Sequence, residues 1–154
     1  MALGVKVAQP ERSVVAISGD GGFLYNSQEL ATAVKYGINV VTVVFNDNAY
    51  GNVLRDRQTR FEGRTLGAEL HNPDFVKLAE AYGCVGIRAN KPDELDEKIA
   101  QMLSVNKPVI FDCVVDKTEN CYPMIPSGKP HNQMLLGKQD EKEDEISEEG
   151  KVLV

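Results

Sequence analysis

The 154-residue chain contains no tryptophan and only three cysteines, Cys84, Cys113 and Cys121. The number is odd and no two of them have Cys-x-x-Cys spacing, which argues against a disulfide framework and against a zinc site. No apolar run approaches the roughly 20 residues that span a bilayer, and the N-terminus has no secretory pattern. We therefore expect a cytoplasmic protein without a membrane partner.

An excess of positive charge is also missing. Lys and Arg number 17 against 23 Asp and Glu, a formal net charge of -6, which argues against nucleic acid as a partner. From residue 138 onward three lysines stand against seven acidic residues, and aromatic residues are absent. We therefore predict one domain over residues 1–137, followed by an acidic and disordered tail over residues 138–154.

Four short apolar runs predict strands that are buried on both faces of a parallel sheet. Helical patterns alternate with these runs, so we predict an α/β fold with a mostly parallel sheet and helices on both faces. Residues 2–8 resemble the end of a helix, and we expect further chain upstream of them. The predicted strands are 14–18, 40–45, 84–88 and 109–115, and the predicted helices are 27–36, 73–82 and 92–103, with a long polar loop over 46–72.

Capping residues predict where two of these helices begin and end. Asn26 is expected to cap the helix over 27–36, with Glu29 in a capping-box position three residues later. Pro73 is expected at the first helical position of the next helix. Gly37 and Gly83 are expected to end the two helices.

Turns rich in glycine, asparagine and aspartate follow the first two predicted strands. Ligands of open α/β sheets bind beyond the carboxyl ends of the strands. If the two strands are neighbours, Asp20 and Asp47 project into the same crevice. The candidate cofactor-binding residues in these turns are Gly19, Asp20, Gly21, Gly22, Asn46, Asp47, Asn48, Ala49, Tyr50 and Gly51.

Two carboxylates with nearby main-chain carbonyls form a hard oxygen site of the kind that Mg²⁺ prefers, usually together with phosphate oxygens. Gly21 and Gly22 leave their N–H groups open to phosphate, and a helix start at Asn26 adds a positive dipole end. The residues thus predict a Mg²⁺-diphosphate site. A plain Asp-Gly turn is the alternative for the first motif. A Mg²⁺-dependent phosphotransfer domain would need a lysine at a strand end, and none is evident.

The two motifs, 27 residues apart from Asp20 to Asp47, resemble the fingerprint of thiamine-diphosphate-dependent enzymes. The resemblance implies the thiamine-diphosphate-binding fold, with thiamine diphosphate and Mg²⁺ as cofactors. It implies Asp20, Asp47 and the carbonyl of Ala49 as metal ligands, while Tyr50 and Gly51 shape the diphosphate loop. The family usually has Asn where this chain has Asp47, and Asn46 or Asn48 is the alternative ligand.

Residues 26–40 and the segment Pro-Met-Ile-Pro-Ser-Gly at 123–128 resemble acetolactate synthase large subunits. This resemblance implies decarboxylation of a 2-keto acid and carboligation in branched-chain amino acid biosynthesis. It also implies a homo- or hetero-oligomer in which a pyrimidine-binding domain or subunit supplies the activating glutamate. No catalytic residue is expected in this chain, and the isolated chain is expected to be inactive.

The segment after the second motif does not identify the substrate. Residues 51–56 read Gly-Asn-Val-Leu-Arg-Asp, where the family usually reads Gly-Met-Val-x-Gln-Trp. Glyoxylate carboligation, oxalyl-CoA decarboxylation and a non-catalytic binding or assembly module are therefore kept as alternatives. Several arginines in this region are expected either to hold an anionic substrate or to form ordinary surface pairs. They are Arg55, Arg57, Arg60 and Arg64.

Overall fold

The computed structural model describes residues 1–60, 64–126 and 128–137, without the side chains of residues 56–60. The predicted tail over 138–154 lies outside these residues, and the predicted single domain over 1–137 stays a prediction. The strands are β1 (Val15–Gly19), β2 (Val41–Asn46), β3 (Val85–Ala89) and β4 (Val109–Val114). The α-helices are α1 (Ala2–Ala8), α2 (Asp20–Leu24), α3 (Glu29–Tyr36), α4 (Gly51–Arg60), α5 (Phe75–Tyr82) and α6 (Leu95–Ser104).

The four strands form one parallel sheet in the order β1-β2-β4-β3. Parallel strands require crossover connections, and helices supply them between successive strands. The predicted α/β fold with a parallel sheet is therefore confirmed. The order makes β1 and β2 direct neighbours, as the candidate site requires.

Helices cover both faces of the sheet, as predicted. On one face, Val44 and Ile110 belong to a buried cluster with Phe23 of α2, Leu30 of α3 and Phe75 of α5. The rings of Phe23 and Phe75 meet edge to face with their centroids 5.5 Å apart. The alternate strand positions form a second cluster, which includes Met102 of α6. Its strand members are Val41, Ile87, Ala89, Val109 and Phe111.

The chain divides into two compact units. The first consists of Met1–Ala49 and Leu70–Val115, and it contains the whole sheet. The described part of the second consists of residues 50–60, 64–69, 116–126 and 128–137. It holds α4, a 3₁₀ turn at His131–Gln133, a bridge between Met124 and Leu135, and the ion pair of Lys117 with Glu69. Among the described residues, no helix is both long enough and apolar enough to cross a membrane.

Two predicted helix starts are wrong, although both predicted ends are right. Helix α3 begins at Glu29 rather than Ser27, and no side chain caps it. The carbonyl of Asn26 accepts the Glu29 N–H, so the backbone turn that follows α2 replaces the predicted capping box. Gly37 and Gly83 end α3 and α5 at φ values of 62° and 85°, which glycine adopts readily.

The start of α5 is set by a carboxylate and not by the proline. Asp74 is the N-cap, and its side chain accepts hydrogen bonds from the N–H groups of Val76 and Lys77. Pro73 therefore precedes the cap, and the prediction that it occupies the first helical position is wrong. An aspartate cap satisfies N–H groups that have no partner inside the helix.

The predicted loop over 46–72 is also partly wrong, because α4 lies within it. The sequence of α4 is polar apart from Val53 and Leu54, and only Leu54 is buried among its described side chains. A helix with so narrow an apolar stripe gives little periodic signal in the sequence.

Gly86 allows β3 to approach α5 closely. A Cβ atom at this position would lie 2.8 Å from the Cα and from the carbonyl oxygen of Val76. Because backbone atoms cannot move aside cheaply, we expect Gly86→Ala to lower the free energy of unfolding by about 1–3 kcal/mol in urea unfolding. Gly4→Ala is the matched control, since no atom lies within 4 Å of a Cβ there. An equally small effect of both changes would contradict this account.

Candidate functional site

Asp20 and Asp47 follow the carboxyl ends of two neighbouring strands. Gly19, the last residue of β1, pairs in register with Phe45 of β2. Asp20 is then the first residue of α2, and Asp47 comes directly after β2. Asp20 is only 1% exposed, and it lies near enough to Asp47 for its negative charge to raise the pKa of Asp47. The structure thus brings the two predicted motifs to the same edge of the sheet.

Both carboxylate oxygens of Asp20 accept a hydrogen bond. The N–H of Gly21 donates to Oδ1 over 2.8 Å, and Nδ2 of Asn72 donates to Oδ2 over 2.6 Å. Gly21 therefore uses its N–H within α2, where the sequence predicted an open group. Gly22 lies close to β1, because a Cβ there would be 3.2 Å from Oγ of Ser18. Each Asp20 oxygen retains acceptor capacity for a further ligand.

Asp47 closes a tight turn at the end of β2. Its Oδ1 accepts the N–H of Ala49 over 3.0 Å, while Asn48 adopts a left-handed φ of 54°. The carbonyl of Asn48 in turn accepts the N–H of Leu70 over 2.7 Å. This turn leaves Ala49 buried beside the strand end.

The pKa of Asp47 is raised above its ordinary value. Burial is the main cause, the N–H of Ala49 opposes the rise, and the negative charge of Asp20 adds to it. A cation beside the two carboxylates would offset the repulsion that the charge of Asp20 exerts on the charged form of Asp47. The electrostatics of the pair therefore favour a bound positive ion.

A continuous set of hydrogen bonds links Asp20 to the interior. Asn72 Nδ2 donates to Oδ1 of Asn46 over 3.1 Å, and Asn46 Nδ2 donates to Oδ1 of Asp112 over 2.9 Å. Arg88 Nε donates to Oδ2 of Asp112 over 2.7 Å. The Arg88 Nη2 group then donates to Oδ1 of Asp74 over 2.8 Å. Hydrogen bonding by Asp112 raises the pKa of Arg88, which stays charged.

Most residues of this network were not predicted from the sequence. Asn46 was a candidate site residue, but Asn72, Arg88 and Asp112 were not. Asp112 lies inside an apolar strand run, and a buried acid in such a run implies a buried partner. The position of Asp112 in the sequence therefore indicates a buried polar partner, although it does not identify that partner.

The remaining predicted site residues lie in the second unit. Tyr50 donates its N–H to the carbonyl of Ala68 over 2.8 Å and accepts from the N–H of Leu54. Gly51 is the first residue of α4. Of the four predicted arginines, Arg57 and Arg60 have side chains outside the described part of the structure.

The donor set at the strand ends fits Mg²⁺ with a diphosphate. Within the described part of the chain, no three His, Cys, Asp or Glu residues cluster so as to hold a metal ion by themselves. Mg²⁺ needs only one or two carboxylates when phosphate oxygens and waters complete its octahedron. In addition, Oδ1 of Asn72 is buried without a hydrogen-bond partner among the described residues. An orphaned buried acceptor next to Asp20 fits a site that takes up a hydrated ligand.

Fold and site together define an α/β domain with a hard oxygen site at the carboxyl edge of a parallel sheet. Residues 1–113 match the family described as "Thiamine pyrophosphate enzyme, C-terminal TPP binding domain". The chain belongs to this family. The resemblance predicted from the sequence, the fold class and the thiamine diphosphate cofactor are thereby confirmed.

The chain is also similar to individual proteins, among them large subunits of acetolactate synthase. The acetolactate synthase large subunit of Haemophilus influenzae is 44% identical over 143 residues, which are 92% of this chain and 25% of that protein. The probable acetolactate synthase large subunit of Methanocaldococcus jannaschii is 44% identical over 128 residues, 82% of this chain and 22% of that protein.

A solved structure is also similar. The thiamine diphosphate-dependent 4-hydroxybenzoylformate decarboxylase of Rhodococcus jostii RHA1 matches with a TM-score of 0.69 and 29% identity. The match covers 75% of this chain and 22% of that chain. This chain therefore spans about a quarter of the length of the relatives that it matches.

The ion pair below the site has a testable effect on stability. Asp112 is fully buried, and Arg88→Met would leave its charge without a cationic partner. We expect a loss of about 3 kcal/mol in the free energy of unfolding, measured by urea denaturation. Lys117→Met breaks an exposed pair with Glu69 and should cost less than about 1 kcal/mol. Similar losses in the two variants would contradict the role given to the buried pair.

Proposed function

We propose that this chain holds thiamine diphosphate through Mg²⁺ bound by Asp20, Asp47 and the carbonyl of Ala49. The observation that carries the proposal is the parallel pairing of β1 with β2, which gives both carboxylates the same edge of the sheet. The pKa of Asp47 is raised by burial and, in addition, by the negative charge of Asp20, which supports a cation at this edge.

The other residues of the two turns shape the site that binds the diphosphate. Gly19 and Gly21 allow the cofactor to approach the backbone, since neither carries a side chain. Gly22 lets α2 lie close to Ser18 of β1 and so keeps this turn tight. Asn46 and Asn48 keep the turn after β2 in place, and Asn46 or Asn48 is the alternative to Asp47 as metal ligand. Tyr50 and Gly51, which the resemblance also implies for the diphosphate loop, belong to the second unit.

We propose further that this domain serves an acetolactate-synthase-like enzyme that acts on a 2-keto acid in branched-chain amino acid biosynthesis. When bound, thiamine diphosphate supplies the electron sink for decarboxylation. The chain would hold the diphosphate of the cofactor, and a pyrimidine-binding domain or subunit of a homo- or hetero-oligomer would supply the activating glutamate. The relatives named acetolactate synthase support this activity. Free cysteines support a cytoplasmic location.

A second candidate is another 2-keto acid substrate within the same class. The departure at residues 51–56 and the similarity to a 4-hydroxybenzoylformate decarboxylase favour it. Under either candidate, the chain without the activating glutamate is inactive. Release of CO₂ from pyruvate by the purified chain with thiamine diphosphate and Mg²⁺ would overturn that part of the proposal.

Calorimetric titration with thiamine diphosphate and Mg²⁺ tests the metal assignment. We expect Asp20→Ala to weaken binding by more than the roughly 10–100-fold that the loss of an outer-shell partner costs. Asp96→Ala, at an exposed position of α6, is the matched control and should bind like the wild type. Retained binding by Asp20→Ala would show that Asp20 is not a ligand.

The second carboxylate is expected to be replaceable by an amide. In Asp47→Asn the side chain keeps a hard oxygen ligand and loses a charge that repels Asp20. The same titration should therefore show binding close to that of the wild type. Complete loss of binding would mean that Asp47 has a role other than supplying a neutral oxygen.

A further inference from the structure

The buried polar side chains of the described residues belong to one network beneath the candidate metal site. Asp20, Asn46 and Asp112 are 1%, 9% and 0% exposed, respectively. Asn72 joins the first two, because its Nδ2 group donates both to Oδ2 of Asp20 and to Oδ1 of Asn46. Asp20 is therefore connected through two amides to the buried carboxylate of Asp112.

The acceptors at the two ends of this network fix the orientation of both amides. Ionised carboxylates only accept hydrogen bonds, so Asn46 must direct Nδ2 toward Asp112 and Oδ1 toward Asn72. Asn72 must then direct Nδ2 toward both Asn46 and Asp20. The ion pair with Arg88, 2.7 Å between Nε and Oδ2, holds the carboxylate of Asp112 in place. The carboxylate of Asp20 is thus held by a unique arrangement of donors.

A fixed carboxylate affects two divalent cations differently. Mg²⁺ demands near-ideal octahedral geometry, whereas Ca²⁺ is larger and accepts flexible geometry with six to eight ligands. A side chain that limits the movement of Asp20 therefore favours Mg²⁺ more than it favours Ca²⁺. Residues that orient a ligand in this way contribute to metal affinity without touching the metal.

We propose that Asn72 is a positioning residue that orients Asp20 and thereby sets the preference of the site for Mg²⁺ over Ca²⁺. This inference rests on the proposed function, in which Asp20 is a metal ligand. The orphaned Oδ1 of Asn72 is an independent observation in its favour. A buried acceptor of this kind is normally satisfied by an ordered water or a ligand, and a water bound to Mg²⁺ would supply such a donor.

Titration of the full chain with Mg²⁺ and, separately, with Ca²⁺ in the presence of thiamine diphosphate tests this role. We expect Asn72→Ala to weaken Mg²⁺ binding by about 10–100-fold and Ca²⁺ binding by less, so that the Mg²⁺/Ca²⁺ affinity ratio falls. Asn72→Ser, too short to reach Asp20, should lower the ratio in the same way and serves if Asn72→Ala does not fold.

Asn39→Ala is the matched control. Asn39 donates a side-chain hydrogen bond to Oδ1 of Asn106 over 2.7 Å, and both residues precede the amino ends of central strands, at the opposite edge of the sheet. The control loses the same kind of bond, so a fall in thermal stability is permitted, but its affinity ratio should equal that of the wild type. A purely structural role for Asn72 would lower stability without changing the ratio.

The outcomes separate this inference from the proposed function. If the wild-type chain binds both cations and the Asn72 variants keep its affinity ratio, the inference is overturned while the proposed function stands. If the wild-type chain binds neither cation with thiamine diphosphate, the proposed function fails and the inference fails with it.

Discussion

The hydrogen bond from Nδ2 of Asn46 to Oδ1 of Asp112 joins the two central strands just below the carboxyl edge of the sheet. Both side chains are buried, so neither can rely on bulk water for a partner. Arg88 compensates the charge of Asp112, and Asn72 donates a hydrogen bond to Oδ1 of Asn46. Removing one partner would leave the others with unsatisfied groups in a region of low dielectric, which is costly.

This interior network links the fold to the site at its edge. The apolar clusters pack helices against both faces of the sheet, while hydrogen bonds from Gly21 and Asn72 hold the carboxylate of Asp20. Asp74 serves both purposes, since it caps α5 and accepts a hydrogen bond from Arg88. The N–H of Lys77 and the hydrogen bond from Arg88 both lower the pKa of Asp74, which stays charged in these roles. Packing and site geometry are therefore coupled through a few side chains.

The sequence was informative where local chemistry decided the structure. Buried parallel strands appear as apolar runs, and Gly37 and Gly83 mark helix ends because a left-handed residue is needed there. The positions of Asp20 and Asp47 directly after strands could be predicted because the apolar runs mark where these strands end. Only the order of the strands decided that the two turns are neighbours, and the order depends on pairing between distant segments.

Features that depend on contacts between distant residues could not be predicted from the sequence. Asn72 lies 52 residues from Asp20 in the chain, and nothing local distinguishes it from a turn residue before a proline. Helix α3 begins without a side-chain cap because the preceding turn supplies its first hydrogen bonds, which made Asn26 a misleading signal. Local capping rules describe what a helix start permits, and tertiary structure decides among the options.

In the proposed site, the turns after β1 and β2 bind one divalent cation together with the diphosphate of the cofactor. Crystals grown with thiamine diphosphate and Mn²⁺ test it most directly, because anomalous scattering locates the metal. We predict one anomalous peak about 2.1 Å from a carboxylate oxygen of Asp20, with Asp47 or a neighbouring asparagine also in its coordination shell. A bound cofactor whose metal contacts neither turn would contradict the account.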